Sequence, residues 1–181
     1  MTKIKLITEH VIDELIIEME TASSIYIMTS FVMESGVQLL EHPLKQALKR
    51  GAEVKLLAGD YLYVTQPEGL RACLAIDERM EVRLWRSQGV SFHPKAYLIQ
   101  RRNGEGILIV GSSNLSRSAL TYGVEWNLAM RAGAEPITYQ LALDQFMKAF
   151  YHPHTIPVNL ETVQQYEKEY EDYHQSHPYL I

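Results

Sequence analysis

The stretch from residue 92 to residue 125 reads FHPKAYLIQRRNGEGILIVGSSNLSRSALTYGVE. His93 and Lys95 are two residues apart on a predicted strand, and side chains on a strand alternate, so the two point the same way. The Gly-Ser-Ser-Asn segment at 111–114 follows an apolar run, which places it where a strand ends and a turn begins. With Glu125 to orient the imidazole, this set offers a nucleophile or acid/base, a fixed cation and polar donors. These are the groups needed to break a phosphodiester by covalent catalysis.

Strands and helices alternate along the first half of the chain, and a hairpin follows. Hydrophobic spacing and turn signals predict helices at 9–20, 36–50, 67–77, 136–150 and 160–173, and strands at 24–32, 53–58, 81–86, 92–101, 105–110 and 123–131. Pro43 predicts a kink or a division of the second helix, and Asn103-Gly104 predicts the hairpin turn. The pattern indicates an α/β domain with a mixed β-sheet flanked by helices.

Length and composition predict one domain over residues 1–181, with a core over about 8–152 and a polar C-terminal helix over about 160–175. A hydrophobic share of 46% and a charged share of 22% are ordinary for a soluble globular protein. No apolar run approaches the roughly 20 residues of a membrane helix, and the N-terminus has no long apolar signal segment. We therefore expect a cytoplasmic protein without membrane attachment. Cys73 lies in an apolar stretch and is predicted to be a buried structural thiol.

Basic residues concentrate around the motif although the net charge is -5. Residues 83–117 contain six Lys or Arg but only one carboxylate, that of Glu105. Such a local excess can attract a polyanion despite the negative total. Arg101, Arg102 and Arg117 are therefore candidate substrate-binding residues. The alternative for Arg101 and Arg102 is that they only solvate the end of a hairpin.

The pattern His-x-Lys followed by Gly-Ser-x-Asn resembles the motif of the phospholipase D superfamily, also called the HKD family. The string around it is similar to one branch in particular, the nuclease domains of certain restriction enzymes and those fused to helicases. The family usually has an Asp five residues after the Lys, and here that position is Gln100. The Asp is widespread in lipid-cleaving members and missing from some nuclease members, so Gln100 argues more against a lipid substrate than against catalysis. An inactive domain is a further option.

The resemblance implies a mechanism for these residues. His93 would attack phosphorus and form a phosphohistidine, while a second His would protonate the leaving oxygen. Lys95 and Asn114 would hold the non-bridging oxygens, Ser112 would support them from the turn, and Glu125 would accept a hydrogen bond from His93 and fix its tautomer. The short helix after Asn114 could add its N-terminal amides to the anion site.

The resemblance also concerns partners and cofactors. No second copy of the motif occurs in the chain, and single-motif members of the family form dimers about a two-fold axis that joins two sites. The resemblance implies no metal and no other cofactor, because Lys and Asn stabilise the charge. It leaves open a place within a larger helicase, restriction or repair assembly.

Three functions from different classes follow. The first is a metal-independent phosphodiesterase that cuts DNA as a homodimer. The second is a lipid phosphodiesterase, against which the lack of a membrane-binding segment argues. The third is a catalytically silent module for DNA targeting or dimerisation. For the tryptophans, Trp85 and Trp126, the sequence favours core packing over base stacking, and for His152 and His154 it favours a loop over a metal pair.

Overall fold

The computed structural model describes residues 2–178, and within them the eight strands form one sheet. The strands are β1 (Ile4–Ile7), β2 (Ser24–Thr29), β3 (Glu53–Gly59), β4 (Glu81–Trp85), β5 (Lys95–Gln100), β6 (Gly106–Gly111), β7 (Asn127–Arg131) and β8 (Thr155–Pro157). The helices are α1 (Val11–Met19), α2 (Glu34–Lys49), α3 (Pro67–Ile76), α4 (Arg117–Leu120), α5 (Pro136–Phe150) and α6 (Leu160–Ser176). A single 3-10 turn, Tyr61–Tyr63, follows β3.

The strand order is β1-β7-β6-β5-β2-β3-β4-β8, and only the β2–β3 and β3–β4 pairs are parallel. The remaining pairs are antiparallel, so the sheet is mixed. The predicted fold class, a mixed sheet flanked by helices, is confirmed. Side chains alternate between the two faces of each strand. One face packs against helices α1, α2, α3 and α6, and the other packs against α5 through Tyr139, Phe146 and Phe150.

Most predicted elements form, and the differences have local causes. Helix α2 continues through Pro43 as one element, and its buried stripe explains why packing overrides the proline. Strand β1 was not predicted because its side chains are largely exposed, and it forms by pairing with β7 at the edge of the sheet. Strand β8 was not predicted either, since it has only three residues and ends in a proline.

Two boundary shifts affect the site. Strand β5 begins at Lys95 rather than Phe92, and β7 begins at Asn127 rather than Gly123. His93 and Glu125 therefore lie on the segments that lead into these strands, not on the strands themselves. Pro94 explains the first shift, since it has no N–H to donate to a neighbouring strand.

Within residues 2–178, no helix combines the length and the apolar character needed to cross a bilayer.

Candidate active site

The five residues predicted as catalytic come together at one edge of the sheet. Lys95 opens β5 and pairs with Thr29, the last residue of β2, while Gly111 closes β6 and pairs with Asn127, the first residue of β7. His93, the turn at 112–114 and Glu125 adjoin these strand ends. Strand ends that meet in this way bring residues from distant parts of the sequence into one site.

His93 is exposed, and its ring is flanked by two aromatic rings. The centroid of Tyr61 lies 5.4 Å from that of His93, and the centroid of Phe31 lies 5.9 Å away, both in edge-to-face arrangements. The ammonium of Lys95 donates a hydrogen bond to the backbone carbonyl of His93 at 2.9 Å. The ammonium of Lys95 is thus held against the backbone of the candidate nucleophile.

The side chain of Asn114 is oriented by two groups at the end of β2, and one of them, the Thr29 hydroxyl, also lies 2.9 Å from the carbonyl of Phe31. Its Oδ1 accepts a hydrogen bond from the backbone N–H of Phe31 at 3.2 Å and lies 3.1 Å from the hydroxyl of Thr29. The backbone N–H can only donate, so the atom that faces it must be the amide oxygen. Within residues 2–178 the amide nitrogen makes no hydrogen bond, which leaves two N–H donors for an anion.

The turn that contains Ser112 and Asn114 is fixed by hydrogen bonds from buried polar groups to Ser113. Ser113 is fully buried, and its hydroxyl accepts a hydrogen bond from Asn127 Nδ2 at 2.8 Å and donates to the carbonyl of Ala119 at 3.1 Å. The hydroxyl of Tyr97 donates to the carbonyl of Ser113 at 2.8 Å. Burial raises the pKa of Tyr97, and the negative charge of Glu125 raises it further, so this donor keeps its proton.

Gly111 is required by the close approach of β7. A Cβ at this position would lie 2.2 Å from the carbonyl oxygen of Trp126 and 2.5 Å from Asn127 Oδ1, which is closer than non-bonded atoms can approach. The glycine therefore lets the turn dock directly on the first residues of β7. Sequence reasoning missed Thr29, Tyr97 and Asn127 as supports, and only the polar character of Thr29 and Asn127 at strand ends could have indicated them.

Glu125 contacts Ser112 rather than His93. The hydroxyl of Ser112 donates to the Glu125 carboxylate and accepts from the N–H of Trp126 at 3.0 Å. Within residues 2–178 the predicted hydrogen bond between Glu125 and His93 is not formed. Glu125 lies before β7 rather than on it, and the hydroxyl of Ser112 is its partner there.

Two of the backbone N–H groups at the start of α4, where the sequence predicted an anion site, are bonded to side chains. Its first backbone N–H, that of Arg117, donates to the Ser35 hydroxyl at 3.2 Å, and the N–H of Ala119 donates to the capping Ser116 hydroxyl at 3.2 Å. Side chains of the protein therefore occupy these donors.

Comparisons with known proteins identify the family. A family model described as "Cardiolipin synthase, PLD-like domain" matches residues 15–149, which include every predicted catalytic residue. The chain belongs to the PLD-like family. This confirms the predicted resemblance to the superfamily of phospholipase-D-like phosphodiesterases. A search of curated proteins gave no significant match.

Solved structures share the fold of this PLD-like domain at low sequence identity. Nuc, a phospholipase D family member from Salmonella typhimurium, is 17% identical with a TM-score of 0.63, and the match covers 86% of this chain and 99% of Nuc. NucT from Helicobacter pylori is 18% identical with a TM-score of 0.64 and the same coverage. Phosphatidylserine synthase from Haemophilus influenzae Rd KW20 is 16% identical with a TM-score of 0.62, and the match covers 93% of this chain and 44% of that protein.

The structure separates the three candidate substrate-binding arginines. Arg101 and Arg102 follow the far end of β5, about 16 Å or more from Lys95 at roughly 3.3 Å per residue. Arg101 is paired there with buried Glu18 at 3.4 Å and with Glu105 at 3.1 Å. These two arginines therefore do not line the candidate catalytic site of the PLD-like domain, and their binding of substrate stays a prediction. Arg117 begins α4, three residues after Asn114, and is exposed at the site edge.

Gln100 also lies at the far end of β5. Its side-chain oxygen accepts a hydrogen bond from the Ser24 hydroxyl at 3.4 Å, and its carbonyl accepts from the N–H of Ser23 at 2.7 Å. The position where this chain departs from the family motif thus joins β5 to β2 and does not contact the site.

The two tryptophans differ in their surroundings. Trp85 stacks on Phe92 with ring centroids 5.4 Å apart, as predicted. Trp126 is 64% exposed, so the prediction that it packs in the core is wrong. Trp126 is the last loop residue before β7 and adjoins Ser112, and the described structure leaves most of it uncovered.

Few groups in the described part of the chain could hold a metal. No cluster of three or more His, Cys, Asp or Glu side chains occurs among residues 2–178. His152 and His154 contact the ring of Trp85. Burial raises the pKa of the Cys73 thiol to about 12, so that thiol stays protonated and inert, as predicted.

Proposed function

We propose that this PLD-like domain is a metal-independent phosphodiesterase that cuts DNA through a phosphohistidine intermediate. The observation that carries the proposal is the meeting of an exposed imidazole, an ammonium and an oriented amide, whose nitrogen has no partner within residues 2–178, at one edge of the sheet. In this scheme a ring nitrogen of His93 attacks phosphorus, a P–N bond forms, and the P–O bond to the leaving oxygen breaks. Water then attacks the phosphohistidine, and the P–N bond breaks.

Lys95 and Asn114 stabilise the charge on the non-bridging oxygens. The Lys95 ammonium uses one of its three protons on the carbonyl of His93, so two remain for the phosphoryl group. The amide of Asn114 adds neutral donors from a fixed position. Preorganised donors of this kind supply a large part of a rate enhancement because they do not reorganise during the reaction.

The reaction needs a proton donor for the leaving oxygen, and we propose that His93 of a second copy supplies it. The surface beside the site supports such an interface. Leu6, Leu128 and Val110 form a cross-strand row on β1, β7 and β6, each about half exposed, one residue from the site edge. Exposed Trp126 continues this apolar row toward Ser112. Apolar patches at the rim of a site are typical of interfaces.

A nuclease assay in excess EDTA tests the proposal. The wild type should cut oligonucleotide DNA, and His93→Ala should not, while His42→Ala, which removes an exposed histidine from α2, serves as the matched control. Activity that requires added Mg²⁺ would overturn the mechanism.

The same assay separates the alternatives. Hydrolysis of phosphatidylcholine vesicles without cleavage of DNA would show that the substrate is lipid. DNA binding without cleavage under any condition would indicate a silent DNA-targeting module.

A further inference from the structure

A cavity of about 310 Å³ adjoins the candidate nucleophile and has no role in the scheme above. Its walls include Tyr61, Leu62, Tyr63, Arg86, Gln88 and Tyr173. Tyr61 is shared with the site, because it lines the cavity and its ring packs edge-to-face with that of His93. The volume lies at the lower end of the range for small-molecule sites.

The charge of this cavity differs from that of the phosphodiester site. Arg86 carries the positive charge in the wall of the cavity. Its guanidinium is paired with the buried carboxylate of Asp60 at 3.1 Å and with the carboxylate of Glu169. Two carboxylates against one guanidinium do not favour a phosphate. Aromatic walls with polar edges suit a flat, uncharged group that can stack and form hydrogen bonds.

The aromatic wall has a strained backbone that is fixed by tertiary contacts. Leu62 and Tyr63 have φ angles of 56° and 50°, in the left-handed region that residues with side chains rarely adopt, and Gln88 on the facing loop has a φ of 51°. The ring of His174 lies 2.7 Å from the carbonyl of Tyr63 and bonds it through Nε2. Strain that the surrounding structure maintains is concentrated at binding sites.

Helix α6 supplies both the support and part of the wall. Tyr166 is fully buried, and its hydroxyl donates to the carbonyl of Thr65 at 2.7 Å, so its role is packing. Tyr173, two turns later, is only partly buried. Its ring is tilted by 33° against that of Tyr63, with centroids 4.9 Å apart, and stacks on the ring of His177 at 4.2 Å. Tyr173 is also one of the residues that line the cavity.

We infer that this cavity receives the base of the nucleotide next to the scissile phosphate, so that the substrate is single-stranded or locally unpaired nucleic acid. The inference rests on the proposed function and names its substrate. The facing loop runs from Gln88 to His93 in five residues, so the cavity rim and the nucleophile belong to one short segment. A base can enter such a cavity only outside the duplex stack.

Cleavage of an oligonucleotide with an abasic analogue beside the scissile phosphate, compared with the base-bearing strand, tests the inference. Stacking of one base predicts a kcat/KM higher by roughly 5- to 150-fold for the base-bearing strand. Tyr173→Ala should remove most of this preference, measured as the ratio of kcat/KM between the two strands, and Tyr173→Phe should retain it. Tyr151→Ala, an exposed tyrosine outside the cavity, is the matched control.

The outcomes distinguish the inference from the function on which it rests. Equal cleavage of both strands by the wild type, or equal loss on both strands in Tyr173→Ala, would overturn the cavity assignment and leave the nuclease proposal intact. A duplex cut as fast as its single strand would also overturn it. If no strand is cut in any form, the proposed function itself fails.

Discussion

Replacement of Thr29 by valine should weaken catalysis without a change in any group that contacts the phosphate. Thr29 is fully buried. Its hydroxyl lies 2.9 Å from the carbonyl of Phe31 and 3.1 Å from Asn114 Oδ1, and it accepts from the N–H of Leu115 at 3.3 Å. Valine has nearly the same shape, so Thr29→Val removes the hydrogen bonds and keeps the packing. Asn114 would then be oriented by the N–H of Phe31 alone.

The expected loss of stability is modest because the partners of Thr29 keep other bonds. Asn114 Oδ1 retains the N–H of Phe31, and the N–H of Leu115 retains the carbonyl of Phe31 at 3.3 Å. A net hydrogen bond contributes about 1 kcal/mol, so we expect the free energy of unfolding to fall by about 1–2 kcal/mol. Urea denaturation measures this loss.

The expected loss of turnover is larger than the stability loss suggests. Complete removal of an oxyanion-type donor costs roughly 100- to 1000-fold, so a donor that is kept but less well oriented should cost about tenfold in kcat. The effect should fall on kcat more than on KM if the contact strengthens in the transition state.

Turnover in EDTA of Thr29→Val, with Thr29→Ser as the control that keeps the hydroxyl, tests this prediction. Wild-type kcat in a folded Thr29→Val protein would refute the view that Thr29 positions Asn114 for catalysis.

Three further predictions follow from the site. Lys95→Ala and Asn114→Ala should each lower kcat by roughly 100- to 1000-fold while circular dichroism shows an intact fold; wild-type rates would place the active centre elsewhere. Leu128→Glu should convert the proposed dimer to monomers in sedimentation and abolish cleavage, since each copy would bury a carboxylate in the apolar interface; a monomeric wild type with full turnover would exclude the dimer. Arg117→Ala should weaken DNA binding and reduce the slope of log K against log salt concentration by about 1, and Arg102→Ala should not. The reverse result would indicate that DNA binds near the hairpin end instead.

The sequence predicted the position of the candidate site because the motif residues lie at the ends of predicted strands. His93, Lys95 and the turn at 111–114 are joined by one hairpin, so local spacing fixes their relation, and the structure brings them together as expected. Arg101 is near Lys95 in sequence but not in space, because an extended strand separates the two by about 16 Å or more. The spacing of basic residues along the chain therefore did not indicate their distance from the catalytic groups.

Other parts of the site could not be predicted because they depend on distant segments. Thr29 reaches Asn114 across 85 residues, and Asn127 reaches Ser113 across 14, through a sheet order that spacing does not reveal. The exposure of Trp126 depends on where β7 begins and on the uncovered part of the sheet beside it. Composition favours burial of a tryptophan and carries no information about that boundary.

The most direct test of the central claim is a search for the covalent intermediate. A cleavage reaction in excess EDTA would be stopped rapidly at neutral or alkaline pH, and the digested protein would be examined by mass spectrometry for a phosphoryl-oligonucleotide on His93. The account predicts an acid-labile adduct on His93 that forms and disappears within the time of turnover and is missing from His93→Ala. Cleavage of DNA with no adduct on His93, or with an adduct on another residue, would contradict the account.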